Sequence, residues 1–333
     1  MSVLSGSPAP RESVPPGGPR PAGGFLSTTA GILTAAVLAN LLWGSAPAFI
    51  KLGYEAFGIA AEDVMSKILF AGLRFTLAGF LALLSGSLLH RRALLPKRGS
   101  GGMILVLALL QTAFQYFFYY IGLSHTAGYK AALISPTSTF FALLFAALVF
   151  RQEKLTPQKV LGCLIGFAGV VLVSLSGQSG GGVRLDGEGF ILLSSVCGGC
   201  GSVLMNRYSA REDPIVLCGW GFVTGGALMI AVGLAGGGRL AAASASAWPI
   251  MIYLGFLSAV AYSLWSMLLQ RHPVSRVVVF SFLNPVFGVV LSAVLLDEFS
   301  TLNVPRCLLA MALVFLGVRI VNRPERHRKA HAA

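Results

Sequence analysis

Residues 111–156, which read QTAFQYFFYYIGLSHTAGYKAALISPTSTFFALLFAALVFRQEKLT, decide how the rest of the chain is interpreted. The stretch is long enough for two membrane-spanning helices joined by a very short polar turn. In the first of these helices Thr112, Tyr116 and Tyr119 follow one another at helical spacing and therefore share one face. Rings and hydroxyls on one face of an otherwise apolar helix predict the lining of a cavity rather than a surface in contact with lipid.

The composition indicates a helical membrane protein. Of the 333 residues 55% are hydrophobic and only 11% are charged, and the mean hydropathy is +0.77. Soluble domains carry about 25% charged residues. The net charge of +13 does not indicate a nucleic-acid partner, because the basic residues lie in short connections between apolar runs and form no continuous patch.

Ten membrane spans are predicted, over residues 30–50, 66–88, 102–123, 129–150, 158–176, 187–206, 214–234, 249–269, 277–296 and 303–321. Residues 1–29 are predicted to form a disordered cytoplasmic tail, because Pro, Gly, Ser and Ala dominate the segment and no apolar core interrupts it. Residues 323–333 are predicted to form a basic cytoplasmic tail. Most lysines and arginines of the connections fall on the side of the amino terminus. The charge bias therefore predicts a multi-pass protein of the cell (plasma or inner) membrane with both termini in the cytoplasm.

The two halves of the chain match each other at an offset of roughly 145–155 residues. The matched pairs are Gly72 and Gly219, Phe75 and Phe222, Gly79 and Gly226, Thr112 and Ser258, Tyr116 and Tyr262, Tyr119 and Trp265, Lys130 and Arg276, and Glu153 and Glu298. Each half holds five spans, and because five is odd the second half crosses the membrane in the opposite sense. The predicted fold class is therefore an all-α integral membrane protein whose ten transmembrane helices form two inverted five-helix repeats, over residues 30–176 and 187–322. Such repeats are typical of secondary transporters, with the site at the repeat interface near the midplane.

Several short motifs occur in a fixed order along residues 30–322. They are Leu42-Trp43-Gly44-Ser45, Gly72-Leu73-Arg74-Phe75, the run Lys130–Ser135 leading to Glu153–Thr156, Gly162 with Gly169, and Asn284-Pro285 ahead of Glu298. In this order and spacing they resemble the drug/metabolite transporter superfamily, in its ten-helix EamA-type branch. The resemblance implies two five-helix halves that move small metabolites, often amino acids or drugs, usually outward.

One departure from that family concerns a proline deep in the fourth span. Here the residue matched to Pro285 is Phe140, and Pro136 lies one turn earlier. We expect the protein's own specificity to differ from that of its relatives at this point.

Arg74 is the charge placed well inside a predicted span. A buried charge without a partner costs several kcal/mol. One interpretation is that Arg74, together with Lys51, binds the carboxylate of a substrate. The other is a structural arginine that bonds helix carbonyls or the loop holding Glu62 and Asp63.

A set of aromatic and amide side chains gives the predicted substrate site, which comprises Trp43, Arg74, Gln115, Tyr116, Tyr119, Tyr262, Trp265 and Asn284. Ring surfaces with hydrogen-bonding tips suit small amphipathic ligands. The alternative is that the rings pack in the core and that Asn284 bonds a carbonyl freed by its neighbour. Pro47, Pro136 and Pro285 lie within apolar spans, where each removes a backbone hydrogen bond. They are predicted to act as hinges, and a role in lining the cavity is the alternative.

The remaining polar residues predict neither an active site nor a metal site. All 12 carboxylates and all 5 histidines lie in tails, loops or span ends, which favours facilitated diffusion or exchange over proton antiport driven by a carboxylate. Glu153 and Glu298 are interpreted as caps of the helices that follow them, with a role in gating as the alternative. Cys197 and Cys200 are interpreted as small residues of a packed helix rather than as ligands. No catalytic residue, metal or cofactor is predicted.

The function that these patterns favour is secondary export of a small organic metabolite by alternating access. A passive channel or a lipid flippase of the same fold is an alternative, and an integral-membrane enzyme acting on lipid-linked substrates is a further one. The expected partners are a small-molecule substrate and the lipid bilayer, with no nucleic acid. Rows of small residues at Gly162 with Gly166 and at Ser194 with Gly198 and Ser202 predict close helix packing or the face of a homodimer.

Overall fold

In the part of the chain that the structure describes, the protein is built from apolar helices. The computed structural model describes residues 28–152, 155–174, 184–271, 280 and 283–321. The helices in these residues are α1 Thr29–Ala56, α2 Val64–His90, α3 Gly101–Ser124, α4 Gly128–Val149, α5 Pro157–Ser174, α6 Leu185–Tyr208, α7 Pro214–Ala235, α8 Ala247–Arg271, α9 Leu283–Leu295 and α10 Val304–Val321. Eight of them are long and apolar enough to cross a membrane, and α5 and α9 are shorter apolar helices. Each predicted span corresponds to one helix.

Some predictions fall outside the described residues. These are the amino-terminal tail as far as residue 27, the tail over residues 323–333, and the matches that involve Glu153 and Arg276.

Aspartate and threonine caps begin several of the helices. Asp63 accepts a hydrogen bond from the backbone N–H of Ser66 at 3.0 Å, and Thr28 accepts one from Gly31 at 3.0 Å. Asp213 accepts one from Ile215 at 2.8 Å, immediately before the proline that opens α7. A side-chain oxygen at this position satisfies an N–H that the helix itself leaves free, so these residues define where the helices start.

The two repeats meet along α2 and α7, whose backbones lie in direct contact. A Cβ atom on Gly72 would lie 2.8 Å from the carbonyl oxygen of Gly226, and one on Gly79 would lie 2.6 Å from that of Gly219. Between these two contacts, the rings of Phe75 and Phe222 lie 5.3 Å apart. If each residue is replaced by its match in the other repeat, the Gly72–Gly226 contact becomes the Gly79–Gly219 contact. The same replacement leaves the Phe75–Phe222 pair unchanged. The sequence matches therefore describe a real two-fold relation between the repeats.

A second pair of contacts has the same symmetry in atomic detail. Helix α1 crosses α9 at Gly44, and α6 crosses α4 at Gly199. A Cβ on Gly44 would meet Phe287 Cβ, Gly288 N and Asn284 O at 2.7, 2.9 and 3.0 Å. A Cβ on Gly199 would meet Phe141 Cβ, Ala142 N and Ser138 O at 2.8, 2.7 and 2.8 Å. The same three atoms at a constant offset confirm the fold of two inverted five-helix repeats.

This contact corrects the register expected for the prolines. Because Asn284 takes the place of Ser138, the residue that corresponds to Pro285 is Thr139 and not Phe140. Phe140 is fully buried and packs against Gly166 of α5 instead.

The small-residue rows pack inside the chain. A Cβ on Gly162 would lie 2.9 Å from the carbonyl oxygen of Gly317 in α10, and one on Gly198 would lie 3.1 Å from the Gln115 side chain. Both rows are therefore used in close packing between helices, as one of the two interpretations predicts.

Two ion pairs connect the helices on the side of the molecule where α1 ends, which we call the Lys51 face. Lys51 contacts Glu298 at 3.1 Å, and Lys130 contacts Glu188 at 2.8 Å. Glu298 also accepts hydrogen bonds from the backbone N–H groups of Gly128 and Tyr129, at 2.9 and 3.2 Å. The prediction that Glu298 caps the helix that follows it is therefore wrong, because its carboxylate caps α4.

The opposite side, which we call the Lys97 face, has a carboxylate of its own. Glu212 accepts hydrogen bonds from the Ser100 hydroxyl at 2.6 Å and from the backbone N–H of Lys97 at 2.9 Å, which links the α2–α3 and α6–α7 connections. Burial alone would raise the pKa of Glu212, but these hydrogen bonds and one from the Asp213 N–H outweigh it and lower the pKa to about 2. The Glu212 carboxylate is therefore ionised at neutral pH, and its hydrogen bonds hold the two connections together.

The glycine contact between the repeats can be tested by adding one methyl group. We expect Gly79→Ala to destabilise the protein by about 1–3 kcal/mol, since a methyl group there forces the backbones of α2 and α7 apart. The measurement is the midpoint of thermal unfolding in detergent. Gly102→Ala is the matched control, because a Cβ at Gly102 meets nothing within 4 Å. Equal midpoints for the two variants would contradict the close contact.

Candidate functional site

A cavity of about 480 Å³ lies between the two repeats. Its lining comes from α1, α2, α3, α4, α6, α8, α9 and α10. All eight residues of the predicted substrate site line it, and so do the three prolines, namely Trp43, Pro47, Arg74, Gln115, Tyr116, Tyr119, Pro136, Tyr262, Trp265, Asn284 and Pro285. The structure thus brings together residues that lie far apart in the sequence, and their binding of a substrate stays a prediction.

Arg74 is the basic residue among the described residues of this lining, and α2 places it where only 3% of it is exposed. Its Nη1 donates a hydrogen bond to the Tyr120 hydroxyl at 2.5 Å, and its Nη2 donates one to Ser258 Oγ at 3.1 Å. Nε donates to the carbonyl oxygen of Leu254 at 3.3 Å, and the guanidinium carbon lies 4.9 Å from the centre of the Phe75 ring. Neutral groups therefore hold the guanidinium in place.

No carboxylate within the described residues pairs with Arg74. If Arg74 has a structural role, the sequence suggests two kinds of partner, a helix carbonyl or the loop holding Asp63. Arg74 does bond a helix carbonyl, that of Leu254, whereas Asp63 caps α2 instead. A guanidinium has five N–H groups, and three of those on Arg74 are engaged. One N–H on each terminal nitrogen remains, and two such groups can bind a carboxylate or a phosphate oxygen pair.

The charge of Arg74 has no counterpart in the second repeat. The residue that corresponds to it in α7 is Gly221, where a Cβ would meet no atom closer than 3.9 Å. The walls of the cavity therefore come from corresponding helices of the two repeats, but the charge of Arg74 comes from the first repeat alone.

Aromatic rings form two groups in the lining. Trp43 lies 5.4 Å from Tyr262 and 5.5 Å from Trp265, both in edge-on contact. The second group lies within the first repeat, where Tyr116 lies 6.2 Å from Tyr119 and 4.0 Å from Phe75. These rings pack against the core and also line the cavity, so both interpretations of them describe part of the structure.

Two predicted contributors lie elsewhere. Thr112 belongs to a π-helical segment, Ala108–Phe114, and a Cβ on Gly225 of α7 would lie 2.6 Å from it. The wider helical turn moves Thr112 off the face of Tyr116 and Tyr119. Lys51 pairs with Glu298 at the Lys51 face and does not line the cavity.

The three prolines have different local structures. Pro47 lies within α1, and Pro136 lies in a 3₁₀ segment of α4, Ser135–Thr137. The hydroxyls of Ser135 and Thr137 donate to carbonyl oxygens of the preceding turn, at 2.7 Å each. Pro285 lies in α9, whose description begins at Leu283.

Sequence reasoning missed two residues of this region. Tyr120 is 1% exposed and accepts the shortest hydrogen bond of Arg74. It lies one turn after Tyr116, and that spacing is the signal that could have found it. Asn40 lines the cavity from α1, and its amide within an apolar span was the corresponding signal.

Metal chemistry finds no support in the described residues. They contain no group of three His, Cys, Asp or Glu side chains that could hold a metal ion. Cys197 and Cys200 are free thiols of α6. The lining of the cavity contains amides, hydroxyls, rings and one guanidinium, a set that binds polar organic molecules.

Residues 29–175 and 185–323 each match the EamA-like transporter family. The chain belongs to this family. The two matches correspond to the two repeats, so this EamA-like protein is a membrane transporter of the drug/metabolite transporter superfamily, as the motifs in its sequence predict.

Several curated relatives are similar to it over most of their length. An uncharacterized transporter of Bacillus subtilis, YvbV, is 28% identical over 281 residues, which cover 82% of this chain and 88% of the relative. A probable amino-acid metabolite efflux pump of Salmonella typhimurium is 26% identical, with 85% and 93% covered. A probable terminal-alkyne amino-acid exporter of Streptantibioticus cattleyicolor is 25% identical, with 90% and 96% covered.

A solved structure described as the crystal structure of a protein shares the fold of this EamA-like transporter. The TM-score is 0.59 at 21% sequence identity, and the similarity covers 88% of this chain and 96% of the other.

The anchoring of Arg74 by Tyr120 can be tested by removing one hydroxyl. We expect Tyr120→Phe to destabilise the transporter by about 1–3 kcal/mol, because it leaves an N–H of a buried charge without its acceptor. The midpoint of thermal unfolding in detergent measures this loss. Tyr208→Phe removes a hydroxyl at the end of α6, outside the cavity, and serves as the control. A midpoint for Tyr120→Phe equal to that of the control would show that the hydrogen bond contributes nothing.

Proposed function

We propose that this transporter exports small organic carboxylates of the amino-acid class across the cell membrane, as a carrier that works by alternating access. Both termini then lie in the cytoplasm, and the Lys51 face lies outside. The proposal rests chiefly on one observation. Arg74 lies in the wall of the cavity, and two of its N–H groups are left to bind a substrate.

The position of Arg74 favours an anionic substrate. Inside a membrane, a guanidinium held only by neutral groups is costly, and a bound carboxylate would supply the missing countercharge. Among the described residues, the lining of the cavity contains no Asp or Glu that would compete with it. A cation without a carboxylate would meet an uncompensated positive charge.

The size and the walls of the cavity favour a small amphipathic molecule. A volume of about 480 Å³ falls within the usual range for small-ligand sites. The rings of Trp43, Tyr116 and Trp265 offer apolar surface for a side chain, while hydroxyls and amides offer hydrogen bonds. An amino acid combines these features in one molecule.

The names of relatives point the same way. One is named a probable amino-acid metabolite efflux pump, and another a probable terminal-alkyne amino-acid exporter. Both names support the export of amino-acid-like molecules by this chain.

The inverted repeats supply a route to alternating access. The ion pairs Lys51–Glu298 and Lys130–Glu188 hold α1, α4 and α6 together at the Lys51 face, so that face must loosen for the cavity to open there. Because the two repeats are related by symmetry, each can adopt the conformation of the other, and the cavity then opens at the Lys97 face instead. Because none of the described residues that line the cavity is a carboxylate, we propose exchange or facilitated diffusion rather than proton antiport.

The test is counterflow of the twenty protein amino acids into proteoliposomes that hold the purified protein. A carrier accumulates labelled substrate against excess unlabelled substrate inside, whereas a channel shows no such trans-stimulation. We expect Arg74→Gln to weaken the apparent affinity for the transported amino acids by about 10- to 100-fold, because a charge-assisted hydrogen bond contributes about 1.5–3 kcal/mol. Arg74→Lys keeps the charge but loses the paired donors, and its loss should be smaller.

The control is Arg319→Gln, which removes an exposed arginine of α10. It should transport as the wild type does. The amide of each transported amino acid, which lacks the carboxylate, should compete poorly with the parent molecule. Effective competition by the amides, together with unchanged transport by Arg74→Gln, would contradict the carboxylate role, and the absence of counterflow for every amino acid would contradict the proposed function.

A further inference from the structure

Asn40 and Ser195 occupy corresponding positions in the two repeats. Asn40 lies one turn before Gly44 in α1, and Ser195 lies one turn before Gly199 in α6, and these glycines make the same contacts with α9 and α4. Both side chains line the cavity, and both are buried, Asn40 to the extent that only 1% of it is exposed.

One hydrogen of each side chain is already used. Asn40 Nδ2 donates to the carbonyl oxygen of Ala36 at 2.8 Å, and Ser195 Oγ donates to that of Ile191 at 3.1 Å. Each acceptor lies four residues earlier in the same helix. The bond to Ala36 also fixes which end of the Asn40 amide is the oxygen. Each of these residues therefore keeps an acceptor oxygen for the cavity, while Asn40 Nδ2 also retains one further N–H.

Asn40 Oδ1 has no hydrogen-bond partner within the described residues, and neither has Gln115 Oε1, whose side chain lines the same cavity from α3. A buried acceptor that is left unpaired destabilises the protein, and a donor from a ligand removes that cost. Two nearby hydroxyls follow the same pattern. Ser135 and Ser202 donate to the carbonyl oxygens of Ala131 and Gly198, at 2.7 Å each.

The polar lining is thus divided by chemistry. Arg74 supplies positively charged donors, whereas the amide oxygens of Asn40 and Gln115 and the hydroxyl oxygens of the serines supply acceptors. A carboxylate satisfies the first group and is disfavoured by the second. An ammonium group carries three N–H donors and no acceptor, so it satisfies the second group.

We propose that Asn40, with Gln115 and Ser195, forms a subsite for the protonated amine of the substrate. The transporter then selects molecules that carry both a carboxylate and a primary amine over carboxylates that lack the amine. This subsite rests on the proposed function, because it concerns the second polar group of the molecule that Arg74 binds.

The test compares each amino acid with its analogue that lacks the amine. The probes are phenylalanine with 3-phenylpropionate, and leucine with 4-methylpentanoate, as competitors in the counterflow assay. For the wild type we expect the amino acid to bind at least about tenfold better than its analogue. For Asn40→Leu we expect that preference to fall to about twofold or less, through weaker binding of the amino acid.

The matched control is Ser292→Ala. Ser292 is fully buried and its Oγ also lacks a partner in the described residues, but it does not line the cavity. The wild-type preference should survive this change. A preference reduced equally in both variants, or retained in Asn40→Leu, overturns the subsite.

Asn40→Asp tests the same subsite without a change of shape. A carboxylate at this position should attract an amine that has no carboxylate of its own, so phenethylamine should compete about tenfold better than with the wild type. Unchanged competition by phenethylamine overturns the proposal even if Asn40→Leu does not fold. Amino-acid transport that continues without any preference for the amine contradicts the subsite alone, whereas the loss of counterflow for all amino acids in the wild type contradicts the proposed function.

Discussion

The close contact between the backbones of α2 and α7 is the constraint on which the rest of the structure depends. In a bilayer, apolar side chains gain little by leaving lipid for protein, so helices associate through tight packing. Gly72 and Gly79 allow this by bringing the helices together with no side chain between them. Gly44 and Gly199 do the same where α1 and α6 cross the opposite repeat. These contacts determine where the helices diverge, and the cavity lies in the space that they leave.

The chemistry of the cavity comes from departures from that symmetry. Arg74 has Gly221 as its counterpart, and Asn40 has Ser195, so the two repeats contribute equivalent surfaces with different polar groups. A charge at this depth is stable only if polar neighbours share it. Tyr120 and Ser258, one from each repeat, provide those neighbours. A substrate that completes the set would interact with both halves at once, as a carrier that alternates between two conformations requires.

The sequence predicts the architecture well, because the signals for it are periodic. Span length and the matched glycines are both properties of the linear chain, and Gly72 and Gly219 could be paired without knowing that they lie near the symmetry axis. The eight residues of the predicted site line one cavity because helical spacing places Tyr116 and Tyr119, and their matches Tyr262 and Trp265, on inward faces.

What the sequence could not give depends on contacts across helices. The π-helical turn that moves Thr112 against α7 has no signal in the pattern of apolar residues. The pairing of Lys51 with Glu298, and of Arg74 with Tyr120, depends on which helices are neighbours. The decisive measurement is a structure of the protein with its transported amino acid bound. If the cavity between the repeats holds the substrate by its carboxylate, that carboxylate lies within hydrogen-bond distance of the terminal nitrogens of Arg74. A molecule bound outside the cavity, or inside it with the carboxylate away from Arg74, would refute this mode of binding.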